Sequence, residues 1–199
     1  MTPEDVATFQ RCVSVGGVAL FPADTVYGLA TEPDTREGVD RLYRIKGRRP
    51  DRPAAVMFFD RGRALAALPE LGGRTRAALR ELLPGGVTLL LPNPRGRFPL
   101  ACGPDPGTLG LRVPDVPLLR DVALPVLQSS ANHAGGADAR TLDAVPRAIR
   151  DGADLVLDGG PLPGTPSTVI DLRAYEAEGR WTVVRTGAVG TGTIATVLR

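Results

Sequence analysis

The sequence predicts an α/β domain whose central sheet mixes parallel and antiparallel strands. Short apolar runs bounded by Gly and Pro alternate along the chain with segments that have the apolar spacing of amphipathic helices. Several connections between the apolar runs are too short for the crossover that joins two parallel strands. Because 199 residues suit one compact domain, we expect residues 1–199 to form a single domain.

The first helix has the clearest boundaries in the sequence. Thr2 suits an N-cap, Pro3 suits the first helical position, and the pair Gly16-Gly17 supplies a stop. This pattern predicts a helix over residues 3–15.

A second helix is predicted over residues 35–45, and it would carry Lys46 at its C-terminal end. Apolar spacing and flanking breakers predict the other helices, which we place at residues 61–68, 72–82, 116–123, 142–150 with Thr141 as its cap, and 191–198.

Strands are expected where short apolar runs stand between breakers, at residues 18–21, 54–59, 87–91, 108–113, 125–129, 154–158, 167–172 and 181–185. The segment 92–107 is dense in Pro and Gly, so we expect a long loop there. Its length makes it a candidate lid over a site.

Composition excludes several classes of protein. The two cysteines, Cys12 and Cys102, give neither a metal-ligand spacing nor a disulfide framework, and we expect no protein-bound metal and a cytoplasmic location. The N-terminus lacks the layout of a signal peptide, and no apolar run reaches membrane-spanning length. A net charge of +2 does not by itself indicate a nucleic-acid partner, although the run 41–52 is locally rich in cations.

Scarce polar residues indicate where a site lies. Lys46 is the single lysine beside 23 arginines, which suggests a position where a compact ammonium is needed and a planar guanidinium does not serve. Three of the four serines and one of two asparagines fall in the segments 128–133 and 166–172. Turn and cap chemistry is the competing explanation for that clustering. The single histidine, His133, is expected to be a loop residue.

No familiar nucleotide loop or nucleophile elbow is present in the sequence, so covalent hydrolase chemistry is not expected. What remains is a set of cations and hydroxyls, most of them at predicted strand ends, where α/β sheets place ligand contacts. The set consists of Thr25, Tyr27, Lys46, Arg48, Thr88, Arg112, Ser130, Asn132, Ser167 with Thr168, and Arg185. Such residues suit a polyphosphate and a carboxylate together, and they would act by positioning and charge stabilisation.

Seven segments taken in order resemble the YrdC/Sua5 family, the threonylcarbamoyl-adenylate synthases, over about residues 5 to 190. They are FPADTVYGLA (21–30), IKGRRPDRPAAVMF (45–58), LLPGGVTLLL (82–91), GLRVP (110–114), SSAN (129–132), PSTVIDL (166–172) and VVRTGAV (183–189). The chain resembles the short, stand-alone form of the family, without the extra C-terminal domain of longer members.

The resemblance implies that ATP with Mg²⁺, L-threonine and bicarbonate are converted to threonylcarbamoyl-AMP and pyrophosphate, the first step towards the t6A modification of tRNA. It implies catalytic roles for Lys46 and Arg48, and ATP contacts from these two with Thr88, Ser130, Asn132 and Arg185. It also implies threonine contacts from Thr25, Tyr27, Arg112 and Ser167. A threonylcarbamoyl transferase would consume the product.

The sequence departs from the family pattern at three places. Ala23 stands where the family usually has threonine, which implies the loss of one hydroxyl near the amino acid. The segment 83–88 reads LPGGVT instead of the common WPGPLT. Arg49 stands at the position after Lys-x-Arg, where the family often has proline.

Two other functions stay open at this stage. One is a carbamoyl-adenylate-forming enzyme of a carbamoyltransferase pathway, although such domains belong to larger chains. The other is a non-catalytic module that binds tRNA or double-stranded RNA through the basic run 41–52. That run contains one aromatic residue, Tyr43, so the sequence gives little support for base stacking.

Overall fold

The chain folds around one mixed sheet in a computed structural model that describes residues 2–199. Its strands are β1 (Ala19–Pro22), β2 (Tyr27–Thr31), β3 (Ala55–Met57), β4 (Val87–Pro92), β5 (Thr108–Arg112), β6 (Val126–Ser130), β7 (Leu155–Val156), β8 (Thr168–Asp171) and β9 (Thr182–Arg185). Their order across the sheet is β7-β1-β2-β6-β3-β5-β4-β8-β9. Strands β1 and β7, β3 and β5, and β4 and β8 pair in parallel, and the other neighbours are antiparallel. The predicted mixed α/β fold is confirmed.

Helices flank this sheet, at α1 (Pro3–Ser14), α2 (Arg36–Lys46), α3 (Arg61–Ala67), α4 (Gly73–Leu82), α5 (Pro99–Cys102), α6 (Arg147–Gly152), α7 (Tyr175–Glu178) and α8 (Thr191–Val197). The Thr2 side chain accepts from the Asp5 amide and the Asp5 side chain accepts from the Thr2 amide, which is a complete capping box. The described helices include none that is both long enough and apolar enough to cross a bilayer.

Both faces of the sheet are covered by apolar side chains. On strand β1, Leu20 belongs to the larger core with Leu29 and Leu42, whereas Phe21 belongs to a second cluster on the other face. In that second cluster the ring of Phe9, from α1, lies 5.1 Å from the ring of Phe21. Burial on both faces explains why β1 has a continuous apolar run instead of an alternating pattern.

Two predicted helices were wrong in extent, and proline is the physical reason in the second case. In the predicted helix 116–123, one turn of 3₁₀ helix forms at Pro117–Leu119. Residues 142–150 divide into a 3₁₀ turn at Leu142–Ala144, capped by the Thr141 side chain, and helix α6 after Pro146. Pro146 has no amide hydrogen and falls inside the second predicted helix, so it interrupts that helix. Pro117 lies in the first turn of its segment, where a helix tolerates proline, so it does not explain the short extent of the first.

Strand β2 and helices α5 and α7 were not predicted from the sequence. All five residues of β2 are buried, so the strand has no polar alternation to identify it. Helices α5 and α7 have four residues each, which is too short for a helical period to be visible.

The segment 92–107 is anchored to the rest of the molecule. The Asn93 amide group donates to the carbonyls of Arg97 and Pro106, and Arg97 forms an ion pair with Glu70 at 2.7 Å. Helix α5 lies within the segment, and the Ala54 amide donates to the Ala101 carbonyl. These contacts hold the segment in place through several independent points.

We predict that Phe9→Ala lowers the free energy of unfolding by about 3–5 kcal/mol, because it removes a fully buried ring from a close-packed cluster. Chemical denaturation monitored by circular dichroism measures this change. The control is Val15→Ala, at a side chain that is 82% exposed, which we expect to change stability by about 0.5 kcal/mol or less. Equal effects of the two changes would contradict the packing assigned to α1.

Candidate functional site

Lys46 is buried at the C-terminal end of α2 and points at the turn that follows β6. Its Nζ lies 2.6 Å from the Ser130 carbonyl oxygen, 2.8 Å from the Asn132 carbonyl oxygen and 2.7 Å from Asn132 Oδ1. The Ser130 hydroxyl also donates to Asn132 Oδ1 at 2.6 Å. Thus the scarce lysine and the scarce serine and asparagine, 84 or more residues apart in sequence, form one hydrogen-bonded unit.

The backbone after α2 allows this geometry. Gly47 follows Lys46 with φ of 62°, the left-handed conformation that glycine adopts without strain. Its amide donates to the carbonyls of Tyr43 and Arg44, which closes the helix and turns the chain towards Arg48.

An open cavity of about 660 Å³, the outer chamber, lies beside this unit. Cations dominate its lining, which comprises Lys46, Gly47, Arg48, Arg49, Arg52, Ser130, Asn132, Ala134, Gly135, Gly136, Asp138 and Arg185. Burial, and after it the charge of Arg48, lower the pKa of Lys46 to about 8. The ammonium is therefore still mainly charged at pH 7.

A smaller cavity of about 170 Å³, the inner chamber, adjoins the outer one. The two chambers share Arg48, Ser130 and Arg185 in their linings. The remaining lining of the inner chamber consists of Val26, Pro53, Ala54, Ala55, Thr88, Arg112, Gln128, Ser129, Pro166, Ser167 and Val169. These three residues form the junction of the chambers. A molecule that passes from one chamber to the other would contact two guanidinium groups and one hydroxyl there.

Arg112 is the one charged side chain that lines the inner chamber and not the outer one, and it is 4% exposed. Its Nη2 forms an ion pair with Asp24 and donates to Thr25 Oγ1 at 2.6 Å, while its Nε has no protein partner. Asp24 also accepts from the Asp115 amide, so it joins the β1–β2 loop to the chain after β5. The guanidinium is therefore held in one orientation against Asp24 and Thr25.

Hydroxyl groups of Thr88 and Ser167 line part of the inner chamber. Thr88 Oγ1 and Ser167 Oγ lie 2.8 Å apart, and the Arg185 Nη2 donates to the Ser167 carbonyl at 2.8 Å. Gly187 makes this approach possible, because a Cβ there would stand 2.2 Å from the Pro166 carbonyl oxygen.

Arg48 is supported mainly by neutral groups. Its guanidinium lies 5.7 Å from the centre of the Tyr43 ring, and Nη2 donates to the Pro53 carbonyl. Its Nε is buried without a protein partner. Because no carboxylate in residues 2–199 lies within ion-pair distance of it, Arg48 keeps its positive charge available at the junction of the chambers.

The structure brings together eight of the eleven residues that the sequence singled out, and they line the chambers as Lys46, Arg48, Thr88, Arg112, Ser130, Asn132, Ser167 and Arg185. Thr168 lines neither chamber, and its hydroxyl donates to the Val189 carbonyl at 2.7 Å. Thr25 reaches the inner chamber only through Arg112. Tyr27 lies elsewhere: its buried hydroxyl donates to Asp158 at 2.7 Å. Burial, then that hydrogen bond, raise the pKa of Tyr27 to about 12 and keep the hydroxyl protonated.

Several expectations about individual positions need correction or addition. Ala23 packs in the apolar cluster with Phe9 and Phe21, so a hydroxyl at this position would not face either chamber. The segment 92–107 contributes no lining residue to either chamber, and its position gives a lid role no support. His133 is an exposed loop residue, as expected.

Sequence reasoning missed five lining or supporting side chains, which are Asp24, Arg49, Arg52, Gln128 and Asp138. The two arginines belong to the basic run that the sequence displays openly, and that signal could have identified them. Asp24, Gln128 and Asp138 give no such signal, because acidic and amide residues are common in surface loops and at strand ends.

Comparison with known proteins agrees with this geometry. The family model Sua5/YciO/YrdC, described as "Telomere recombination", matches residues 11–187. The chain belongs to this family. A Sua5/YciO/YrdC relative named threonylcarbamoyl-AMP synthase in Chromohalobacter salexigens is 32% identical over 88% of this chain and 96% of its own length. Another of that name, in Bacillus subtilis, is 31% identical over 77% of this chain, which spans only 46% of that relative.

A solved structure of the Sua5/YciO/YrdC family shares the fold. The crystal structure titled P. abyssi Sua5 complexed with L-threonine superposes with a TM-score of 0.86 at 23% identity, over 99% of this chain and 58% of that one. At that identity the comparison is one of fold. It agrees with the nine-stranded mixed sheet described above.

We predict that nucleotide affinity falls as the pH rises through about 8, because the lowered pKa of Lys46 removes its charge there. Binding of ATP that requires the ammonium should weaken by up to about tenfold per pH unit above pH 8. Isothermal titration calorimetry between pH 7 and 9.5 measures this slope. Lys46→Arg is the comparison variant: we expect it to bind ATP more weakly at every pH but without this slope, since a guanidinium stays charged across that range. The same slope in that variant would assign the titration to another group.

Proposed function

We propose that this protein is an L-threonylcarbamoyl-AMP synthase, which converts ATP, L-threonine and bicarbonate to threonylcarbamoyl-AMP and pyrophosphate with release of water. The observation that carries the proposal is the pair of joined chambers with different chemistry: five cations line the outer one, whereas the inner one adds Arg112 and hydroxyl groups to the Arg48 and Arg185 that both chambers share. Relatives that bear this enzyme's name match most of the chain, which supports the same conclusion.

ATP would occupy the outer chamber. Its phosphates carry several negative charges, and Lys46, Arg48 and Arg185 supply the opposite charge. Ser130 and Asn132 would contact the nucleotide, and their turn is held in place by the Lys46 ammonium. Thr88 lies in the inner chamber, so any contact it makes with ATP would be with the end of the nucleotide that enters the junction.

Magnesium would enter with the nucleotide as part of the substrate. In the part of the chain that the structure describes, no three His, Cys, Asp or Glu side chains are grouped to hold a metal ion. Oxygen atoms of the phosphates are suitable Mg²⁺ ligands, and the ion commonly keeps several waters when it is bound this way.

Threonine would occupy the inner chamber. Arg112 lines the chamber with a fixed guanidinium that suits a carboxylate, and Thr88 with Ser167 offer hydroxyls to a polar side chain. Thr25 would act by orienting Arg112, and Tyr27 by holding the neighbouring 158–160 segment, to which its hydroxyl is bonded.

The reaction would take place at the junction of the chambers. The threonine amine and bicarbonate give an N-carboxylate, one of whose oxygens attacks the α-phosphorus of ATP while the bond to pyrophosphate breaks. Arg48 and Arg185 line both chambers, so they are placed to hold the two anions together and to stabilise the charge that develops on phosphorus. Lys46 would contribute positive charge and would hold the 130–132 turn in place.

The proposal extends to partners and location. A carbamoyl adenylate is a reactive mixed anhydride, so a threonylcarbamoyl transferase that acts on tRNA would have to consume it. We place this chemistry in the cytoplasm, consistent with cysteines Cys12 and Cys102, which form no disulfide with each other. Direct contact with tRNA or double-stranded RNA would involve the basic run 41–52.

A single assay tests the proposed function. The purified protein is incubated with ATP, Mg²⁺, bicarbonate and labelled threonine, and pyrophosphate is measured together with labelled adenylate. We expect pyrophosphate release that requires both threonine and bicarbonate. Release that needs carbamoyl phosphate and no threonine would indicate the carbamoyl-adenylate reaction. Absence of release, with salt-sensitive tRNA binding, would indicate an RNA-binding module.

Two substitutions should separate the chambers kinetically. Arg112→Lys keeps a charge but loses the planar fork, and we expect it to raise KM for threonine about 10- to 100-fold with KM for ATP within about threefold. Lys46→Arg should slow turnover by about tenfold or more and raise KM for ATP, because a guanidinium does not fit among the oxygens now bonded to Nζ. Steady-state kinetics with each substrate varied measures both. Identical patterns in the two variants would contradict the division into two subsites.

A further inference from the structure

One acidic side chain in the outer chamber has no role in the reaction described above. Asp138 lines that chamber together with five cationic side chains, and it is partly buried. Within residues 2–199 its carboxylate has no hydrogen-bond partner and no cation within ion-pair distance. It nevertheless lies near enough to Lys46 to raise the pKa of that amine, against the larger lowering by burial and Arg48. Both carboxylate oxygens are therefore available as acceptors for a ligand.

The two walls of the outer chamber differ in charge. One wall is the chain from Lys46 to Arg52, which contributes four cations. The other wall is the segment 134–138, which contributes Ala134, Gly135, Gly136 and Asp138 and no cation. A triphosphate is attracted to the first wall and repelled by the carboxylate on the second. The nucleoside part of the ligand is thereby directed to the 134–138 wall.

The second wall leaves open space for a ligand at Gly135. Gly135 has φ of 81°, and no atom lies within 4 Å of the position its Cβ would take, so the backbone presents an open surface. The Asn132 side-chain amide donates to the Gly136 carbonyl, which ties this loop to the turn held by Lys46. The loop that carries Asp138 is consequently fixed relative to the phosphate-binding cations.

We propose that Asp138 accepts hydrogen bonds from the ribose hydroxyls of the nucleotide and makes the site select ribonucleotides over deoxyribonucleotides. The proposal rests on the proposed function only in taking the ligand of the outer chamber to be ATP. A vicinal diol offers two donors, and an ionised carboxylate offers acceptors only, so the two match. Acidic side chains that bind ribose hydroxyls in dinucleotide sites use the same complementarity.

The test compares nucleotides that differ by one hydroxyl. Binding of ATP, 2′-deoxy-ATP and 3′-deoxy-ATP is measured by isothermal titration calorimetry at fixed Mg²⁺ and without threonine, for the wild-type protein, Asp138→Asn and Asp138→Ser. We expect the wild-type protein to bind ATP about 10- to 100-fold more tightly than at least one of the deoxy analogues. In both variants this ratio should fall to about threefold or less, mainly through weaker binding of ATP. Asp143→Asn is the matched control, because its fully exposed side chain lies outside the chamber, and it should keep the wild-type ratio.

Four results would overturn the role of Asp138. Equal weakening of all three nucleotides would mean that the carboxylate supports the loop alone. If the ratio of ATP to deoxy-ATP affinity is unchanged in the variants and they require more Mg²⁺, the carboxylate acts on the metal ion. If the variants bind every nucleotide more tightly, the carboxylate only repels the phosphates. Thermal unfolding of both variants shows that they are folded. Failure of the wild-type protein to bind ATP would overturn the proposed function as well, whereas binding without discrimination between the sugars would overturn Asp138 alone.

Discussion

The contact between the Lys46 ammonium and the 130–132 turn organises the site. A buried amine without partners would lose its proton or destabilise the fold, and here the oxygens of Ser130 and Asn132 surround it. The same bonds fix the turn that follows β6 against the end of α2. One interaction therefore sets both the position of a positive charge and the shape of the wall next to it.

The site also depends on the order of the strands, because its residues come from distant parts of the chain. Ser130 ends β6, Arg112 ends β5, and Ser167 directly precedes β8, and these strands lie in the interior of the sheet. The ion pair from Asp24 to Arg112 joins the loop after β1 to the end of β5, across the ends of the strands between them. Residues from these distant segments line one pair of joined cavities only because the strands lie in this order.

The sequence was sufficient to predict the fold class and the residue types of the site, but not the contacts between them. Scarcity indicated Lys46, Ser130 and Asn132, because a chain that uses a residue type rarely shows where its chemistry is needed. Tyr27 was assigned to the ligand since it follows a strand, yet the pleat directs its hydroxyl to Asp158. Strand β2 was missed because a short strand buried on both faces has no periodicity that distinguishes it from other apolar segments.

The partners of each cation explain why the two chambers differ in charge. Arg48 and Arg185 are oriented by carbonyl groups of Pro53 and Ser167, and Lys46 by amide oxygens, so the protein positions these charges without cancelling them. Arg112 is instead paired with the Asp24 carboxylate, which offsets most of its charge. Charge held by neutral acceptors suits a ligand with several negative charges, because binding then supplies the first counter-ion. An arginine that already has a carboxylate partner suits a ligand with a single carboxylate of its own, for which geometry matters more than net attraction.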